Sequence, residues 1–116
     1  VRGEWLEYEP AWHTGQLIWG LLEAHRVNGD AALLAAARRG GEWWIGLELR
    51  QPSPIAGMLD AAHGGPLGPL INFTTLSDGT PGLFALSRVT GDRRYADVAT
   101  RAGDWSLRHL YLEREA

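Results

Sequence analysis

The stretch Gly20-Leu21-Leu22-Glu23-Ala24-His25-Arg26-Val27-Asn28-Gly29-Asp30 returns 62 residues later as Gly82-Leu83-Phe84-Ala85-Leu86-Ser87-Arg88-Val89-Thr90-Gly91-Asp92. The register continues without a gap, so that Ala37, Arg39, Gly41 and Trp43 fall on Ala99, Arg101, Gly103 and Trp105. Gly20 to Ile45 therefore carries ten identities in twenty-six positions. Repetition at a fixed spacing means that one supersecondary unit is built twice and stacked against itself.

The unit reads as a helical hairpin. Leu17, Ile18, Leu21, Leu22 and Val27 form an apolar stripe at helical spacing. Gly29 follows as a residue able to take the left-handed conformation that closes a helix. Asp30 can then accept from the free N–H groups of a second helix. Gly91-Asp92 repeats the punctuation. So short a link forces the two helices of each unit to lie antiparallel. Small residues in the second helices (Ala36, Ala37, Gly40 and Gly41, matched by Val98, Ala99, Ala102 and Gly103) predict close packing. Gly41 and Gly103 are expected to admit a neighbouring backbone, because glycine inside a helix costs roughly 1 kcal/mol relative to alanine. Trp43 and Trp105 are expected to fill a repeated core pocket, with Trp19 and Trp44 joining the core.

The expected architecture is all-α: hairpin one over about 14–50, an irregular connection over 51–74, and hairpin two over about 78–113. A chain of 116 residues holds about one domain. Its net charge of −3, with signs interspersed, leaves no basic stripe for nucleic acid. No apolar run approaches the ~18 residues of a membrane span. The absence of cysteine rules out disulfides and thiolate metal sites, and no motif calls for a metal or a cofactor. Two hairpins are fewer than the roughly three that repeat architectures need to cover their cores. Further hairpins of the same chain, or a homo-oligomer partner, are therefore expected to complete the structure.

Chemistry is expected in the segments that do not repeat, since loops gathered at one end of a rigid scaffold commonly carry function. Glu4-Trp5-Leu6-Glu7-Tyr8-Glu9-Pro10-Ala11-Trp12-His13-Thr14 leads into the first hairpin. Gln51–Ser77 leads into the second, with Pro52, Pro54, Pro66, Pro69 and the run His63-Gly64-Gly65-Pro66-Leu67-Gly68. His13 reads either as a general acid or base or as a helix-entry residue that bonds backbone. Asp78, heading Asp78-Gly79-Thr80-Pro81, reads either as a helix N-cap or as a carboxylate at a pocket mouth. Asn72, Thr75 and His63 offer neutral groups for substrate hydroxyls. Glu4, Glu7 or Glu9 could supply a second carboxylate for glycoside chemistry. Trp5, Tyr8 and Trp12 stand beside these groups as flat faces suited to a sugar ring.

The segment Gly82-Leu83-Phe84-Ala85-Leu86-Ser87-Arg88-Val89-Thr90-Gly91-Asp92-Arg93-Arg94-Tyr95-Ala96-Asp97-Val98-Ala99 resembles the hairpin signature of the six-hairpin glycosidases. These are (α/α)6-toroid carbohydrate-active enzymes, among them unsaturated-uronyl hydrolases, N-acylglucosamine epimerases and β-L-arabinofuranosidases. The likeness covers roughly residues 12–50 and 74–112. It implies that the starts of inner helices face a central cleft, bringing His13, Gln16, Asn72 and Asp78 toward a carbohydrate substrate. In that reading Asp78 and His13 are catalytic, and Trp5, Tyr8, Trp12, Gln16, His63, Asn72 and Thr75 bind substrate. The chain departs from the arabinofuranosidases in lacking their cysteine-rich zinc site. The competing expectation is a helical-repeat scaffold that binds protein and performs no chemistry, against which the 62-residue period stands, being longer than the ~34–47 of common helical solenoids.

Overall fold

The computed structural model of the chain describes residues 10–50, 56–57, 59 and 68–109, apart from the side chains of 10 and 68–74. Four helices follow in order: α1 (Pro10–Asn28), α2 (Ala31–Ile45), α3 (Gly68–Thr90) and α4 (Arg93–His109). Among the described residues the only β feature is an isolated bridge between Glu48 and Leu59. The chain is all-α.

Both turns form as their residues dictate. Gly29 and Gly91 take φ of 72° and 74°, and their N–H groups donate back to the carbonyls of His25 (2.7 Å) and Ser87 (2.8 Å). The Asp30 carboxylate accepts from Ala32 N–H at 2.8 Å, and Asp92 accepts from Arg94 N–H at 3.0 Å. Each aspartate thus satisfies an orphan donor of the helix that follows. His25 Nδ1–H donates to the Asp30 carbonyl at 2.8 Å. In the second turn the Thr90 hydroxyl does related work, donating to Leu86 O at 2.7 Å and accepting from Asp92 N–H at 3.2 Å.

Glycines set the relation between the hairpins. A Cβ on Gly15 would collide with the Gly79 backbone, and one on Gly82 would collide with the Gly15 carbonyl and reach Ile18 Cβ at 3.3 Å. The contacts climb both helices together, so α1 and α3 run parallel, backbone against backbone. α2 and α4 flank them and also run parallel, since Glu42 near the end of α2 meets Arg94, and Glu48 just beyond α2 meets Arg101 further along α4. Between the layers lies a core that includes Ile18, Leu22, Trp44, Leu83, Leu86 and Tyr95. Trp44 ties it together by donating from Nε1 to the Ala11 carbonyl at 2.9 Å.

The structure corrects several expectations. α3 begins at Gly68, so residues 68–74 are helical rather than part of the connection. Pro69 then sits in the first turn, where its missing N–H costs nothing. Asp78 consequently lies inside α3 and cannot cap it, and Pro81 is internal too. Beside it, Thr80 donates from Oγ1 back to Leu76 O at 2.6 Å within the helix. Gly41 receives side chains rather than backbone, with Leu86 Cδ2 and Tyr95 Cε1 closing on its Cβ position. Gly103 has nothing within 4 Å of its own among the described residues.

The tryptophans also divide differently. Trp44 and Trp105 are buried, whereas Trp19 and Trp43 are 45% and 42% exposed. In α2 the inward line is Ala37, Gly41, Trp44, and Trp43 stands one residue, about 100° of helix, away from it. Trp105 escapes that fate because Gly57 lies against it and against the Arg101 carbonyl, with a Gly57 Cβ position 3.5 Å from Trp105 Cβ. The connection after α2 thus covers α4 and breaks the symmetry of the repeat. Leu17 and Val27, read as core, are 60% and 78% exposed.

Candidate functional site

α1 and α3 share one side that faces away from α2 and α4. Ala11, Gly15, Ile18 and Leu22 turn toward the core and α3, and Gly40 of α2 lies against Thr14 and Ile18. Positions three and four apart share a helix face, so Trp12, Gln16, Trp19 and Glu23 line the side of α1 turned away from α2, about 100° round from that buried line. Their repeat equivalents in α3 include Asp78, Pro81 and Ala85. Gln16 and Asp78 stand 62 residues apart, at the same position of two parallel helices, and both are exposed.

This side carries an amide, two carboxylates and two indoles, the Glu23 carboxylate being paired with Arg26 at 3.0 Å. Trp12 is half-buried and stacks on His13, with ring centroids 5.2 Å apart and planes 9° from parallel. Trp19 follows two turns later and presents its ring to solvent. Ser77 Oγ donates to Asp78 Oδ1 at 3.1 Å, which holds the carboxylate in place. Below it, Trp44 supports Gly79, whose Cβ position lies 3.3 Å from Trp44 Nε1. Two buried polar atoms, Trp12 Nε1 and Thr75 Oγ1, have no hydrogen-bond partner among the described residues.

The expected site residues separate on this frame. Asp78, Gln16 and Trp12 share the side turned away from α2 and α4. His13 does not, for it is the repeat equivalent of Thr75 and points away from α3, about 200° round α1 from Gly15 and Ala11. His13 is exposed there and touches the shared side only through its stack on Trp12. Thr75 is fully buried in the α1–α3 interface. Asn72 lies in the first turns of α3, its side chain outside the described residues, as are Trp5, Tyr8 and His63. Trp19 is the residue that sequence reasoning missed. Its signal was available in the spacing of Trp12, Gln16 and Trp19, which a core assignment for every tryptophan conceals.

The outer layer carries a polar cluster of structural character. Arg94 binds Glu42 at 2.6 Å and Asp92 at 2.7 Å, and Tyr95 Oη donates to Glu42 Oε1 at 2.7 Å. The Tyr95 bond, followed by the Arg94 bond, holds the Glu42 carboxyl below its usual range. Arg94 does the same for Asp92. Arg101 of α4 and Glu48 of the connection that follows α2, 2.6 Å apart, form a second ion pair. Among the described residues no group of His, Asp and Glu side chains could hold a metal ion, and no helix is long and apolar enough to cross a membrane. The chain matches no family model, no curated protein and no solved structure.

Proposed function

We propose that this chain is part of a carbohydrate-active enzyme of the (α/α)6-toroid kind, a glycoside hydrolase that takes an oligosaccharide across the shared side of α1 and α3. The observation that carries the reading is the placement of Gln16 and Asp78 at one level of two parallel inner helices, with Trp12 and Trp19 on the same side. Indole faces stack on the C–H faces of a pyranose, while amide and carboxylate take its hydroxyls. That combination of a broad apolar surface with a few placed polar groups is typical of small-molecule sites. Two parallel inner helices, backed by two parallel outer ones that run the opposite way, are also the local order of an α/α toroid. Asp78 would act as the acid, base or hydroxyl ligand, with its second carboxylate drawn from outside α1–α4.

The test is NMR titration of the chain with neutral and uronic oligosaccharides, paired with a hydrolysis assay on the same panel. Shifts confined to Gln16, Trp19 and their neighbours are expected. Where turnover is seen, Asp78→Asn should lower it by ~10²-fold or more with helicity retained. Shifts at Leu17, Leu107 and other flank residues on adding protein partners, with no response to sugars, would favour the non-catalytic scaffold instead.

A further inference from the structure

The two turns of the repeat differ at one position that carries chemistry. In the second turn Thr90 precedes Gly91, and its hydroxyl accepts from Asp92 N–H at 3.2 Å. In the first turn Asn28 stands there, and its side-chain Oδ1 accepts from Asp30 N–H at 2.9 Å. The two side chains fill the same hydrogen-bonding role, but only the asparagine offers an electrophilic carbon and a leaving group. Gly29 follows it with φ of 72°, and among the described residues nothing lies within 4 Å of its Cβ position. Lacking a side chain, glycine is the least hindered backbone nucleophile that can follow an asparagine. Asn28, Gly29 and Asp30 are all exposed, so water reaches the turn.

We propose that Asn28-Gly29 is a self-modification site, at which the folded chain converts Asn28 to an acid and loosens the turn of hairpin one. The Asp30 bond folds the Asn28 amide forward over the Gly29 peptide, toward the nitrogen that attacks it. The Gly29 nitrogen gives its proton to a solvent base and bonds to Asn28 Cγ. Negative charge then develops on Oδ1, the atom that Asp30 N–H already holds, as in an oxyanion site. The Cγ–Nδ2 bond breaks, and the nitrogen leaves as ammonia with a proton from water. A five-membered imide remains. Water opens it at either carbonyl, which leaves aspartate or an isoaspartyl linkage at 28. One contact opposes the attack, since Gly29 N–H donates to His25 O at 2.7 Å. That bond belongs to the last turn of α1, and terminal turns open at little cost in free energy, so it slows the reaction without stopping it. The product is unfavourable in place. A carboxylate at 28 faces the negative end of the α1 dipole and stands two residues from the Asp30 carboxylate. The isoaspartyl form also adds a backbone carbon between α1 and the cap of α2.

The experiment incubates the intact chain at mildly alkaline pH, folded and in concentrated urea, and follows both asparagines by peptide mass spectrometry. Asn28 should convert in the folded chain within ~10-fold of its rate in urea, with aspartate and isoaspartate both appearing. Asn72, followed by the bulky Phe73, should keep its amide over the same period. Asn28→Thr, which copies the turn of hairpin two, should abolish the reaction and leave the melting midpoint within ~2 °C. The converted chain, separated by charge, should melt about 2–6 °C below the starting protein. A folded chain that keeps Asn28 as the amide while the chain in urea loses it overturns the proposal. So does a converted chain that melts with the starting protein.

Discussion

Gly15 and Gly79 lie backbone to backbone, with no room for a Cβ on Gly15 and the Gly79 carbonyl oxygen 2.6 Å from where it would be. That single contact makes α1 and α3 a tightly apposed parallel pair and fixes which sides of them remain free. Among the described residues, nothing packs on the side bearing Gln16 and Asp78, because glycines elsewhere on the helices take the packing.

Alanine at Gly15 should therefore destabilise the chain. Replacing glycine by alanine in a helix interior gains about 1 kcal/mol of propensity. Forcing a methyl group into a packed interface costs about 1–3 kcal/mol, and here the obstacle is backbone, which cannot swing aside. The clash wins, and Gly15→Ala should lower unfolding free energy by about 2 kcal/mol in urea melts. Gly20 provides the contrast: it is the repeat equivalent of Gly82, yet among the described residues nothing lies within 4 Å of its Cβ position. Gly20→Ala should raise stability by about 0.5–1 kcal/mol. Equal effects from the two substitutions would contradict the packing described.

The acid limb of stability should depend on Arg94. Glu42 and Asp92 sit below their ordinary values of 4.5 and 3.8. A folded value below the unfolded one means that folding favours the ionised carboxylates. Their contribution is complete above those ordinary values and is lost as pH falls through the lowered ones. The Glu42 side chain is 49% exposed and that of Asp92 25%, so both reach solvent and the effect is small and screened by salt. Urea midpoints measured from pH 6 to pH 2.5 should fall, and the fall should be shallower in Arg94→Met and in 1 M NaCl. An identical acid profile for wild type and Arg94→Met would show that the cluster contributes nothing.

Tyr95 governs the opposite limb. Burial first, and then its bond to Glu42, push its hydroxyl from 10.0 up to about 12. A raised folded value means that folding favours the neutral phenol, so this contribution is whole below the ordinary value and disappears as pH rises toward about 12. Tyr95→Phe should cost about 1 kcal/mol at pH 7 from the lost hydrogen bond and should flatten the alkaline fall in stability. An alkaline fall equally steep in Tyr95→Phe would assign it to other groups.

Reading the sequence recovered what depends on local chemistry. The Gly-Asp pairs at 29–30 and 91–92 announce their turns, because positive φ and an N-cap carboxylate are properties of those residue types alone. What the sequence concealed depends on partners. Trp43 and Trp105 hold the same repeat position, and only the fold of the connection through Gly57 onto α4 buries one and exposes the other. Gly41 and Gly103 are likewise indistinguishable as letters, and only the presence of hairpin two makes one a filled notch. Asp78-Gly79-Thr80-Pro81 resembles a helix start so closely that the true start at Gly68 was hidden by the prolines before it. For the candidate site, the repeat already paired Gln16 with Asp78, but that pairing becomes a shared face only when α1 and α3 prove parallel.

Trp19 provides the sharpest test of that face. It is exposed, so its removal leaves the core intact, and Trp19→Ala should change the melting midpoint by less than ~2 °C. If a sugar ring stacks there, the same substitution removes a large apolar contact, and truncation of an aromatic anchor commonly costs 2 kcal/mol or more. Affinity for the best oligosaccharide should then fall by ~10-fold or more in calorimetry, with Gln16→Ala adding a smaller loss from its hydroxyl contacts. Trp43→Ala is the matched control, because Trp43 is exposed to a similar degree but sits in α2, away from the shared side. It should leave sugar affinity unchanged. Equal losses from Trp19→Ala and Trp43→Ala would mean that binding tracks exposed indole in general, and the side shared by α1 and α3 would lose its claim to be the site.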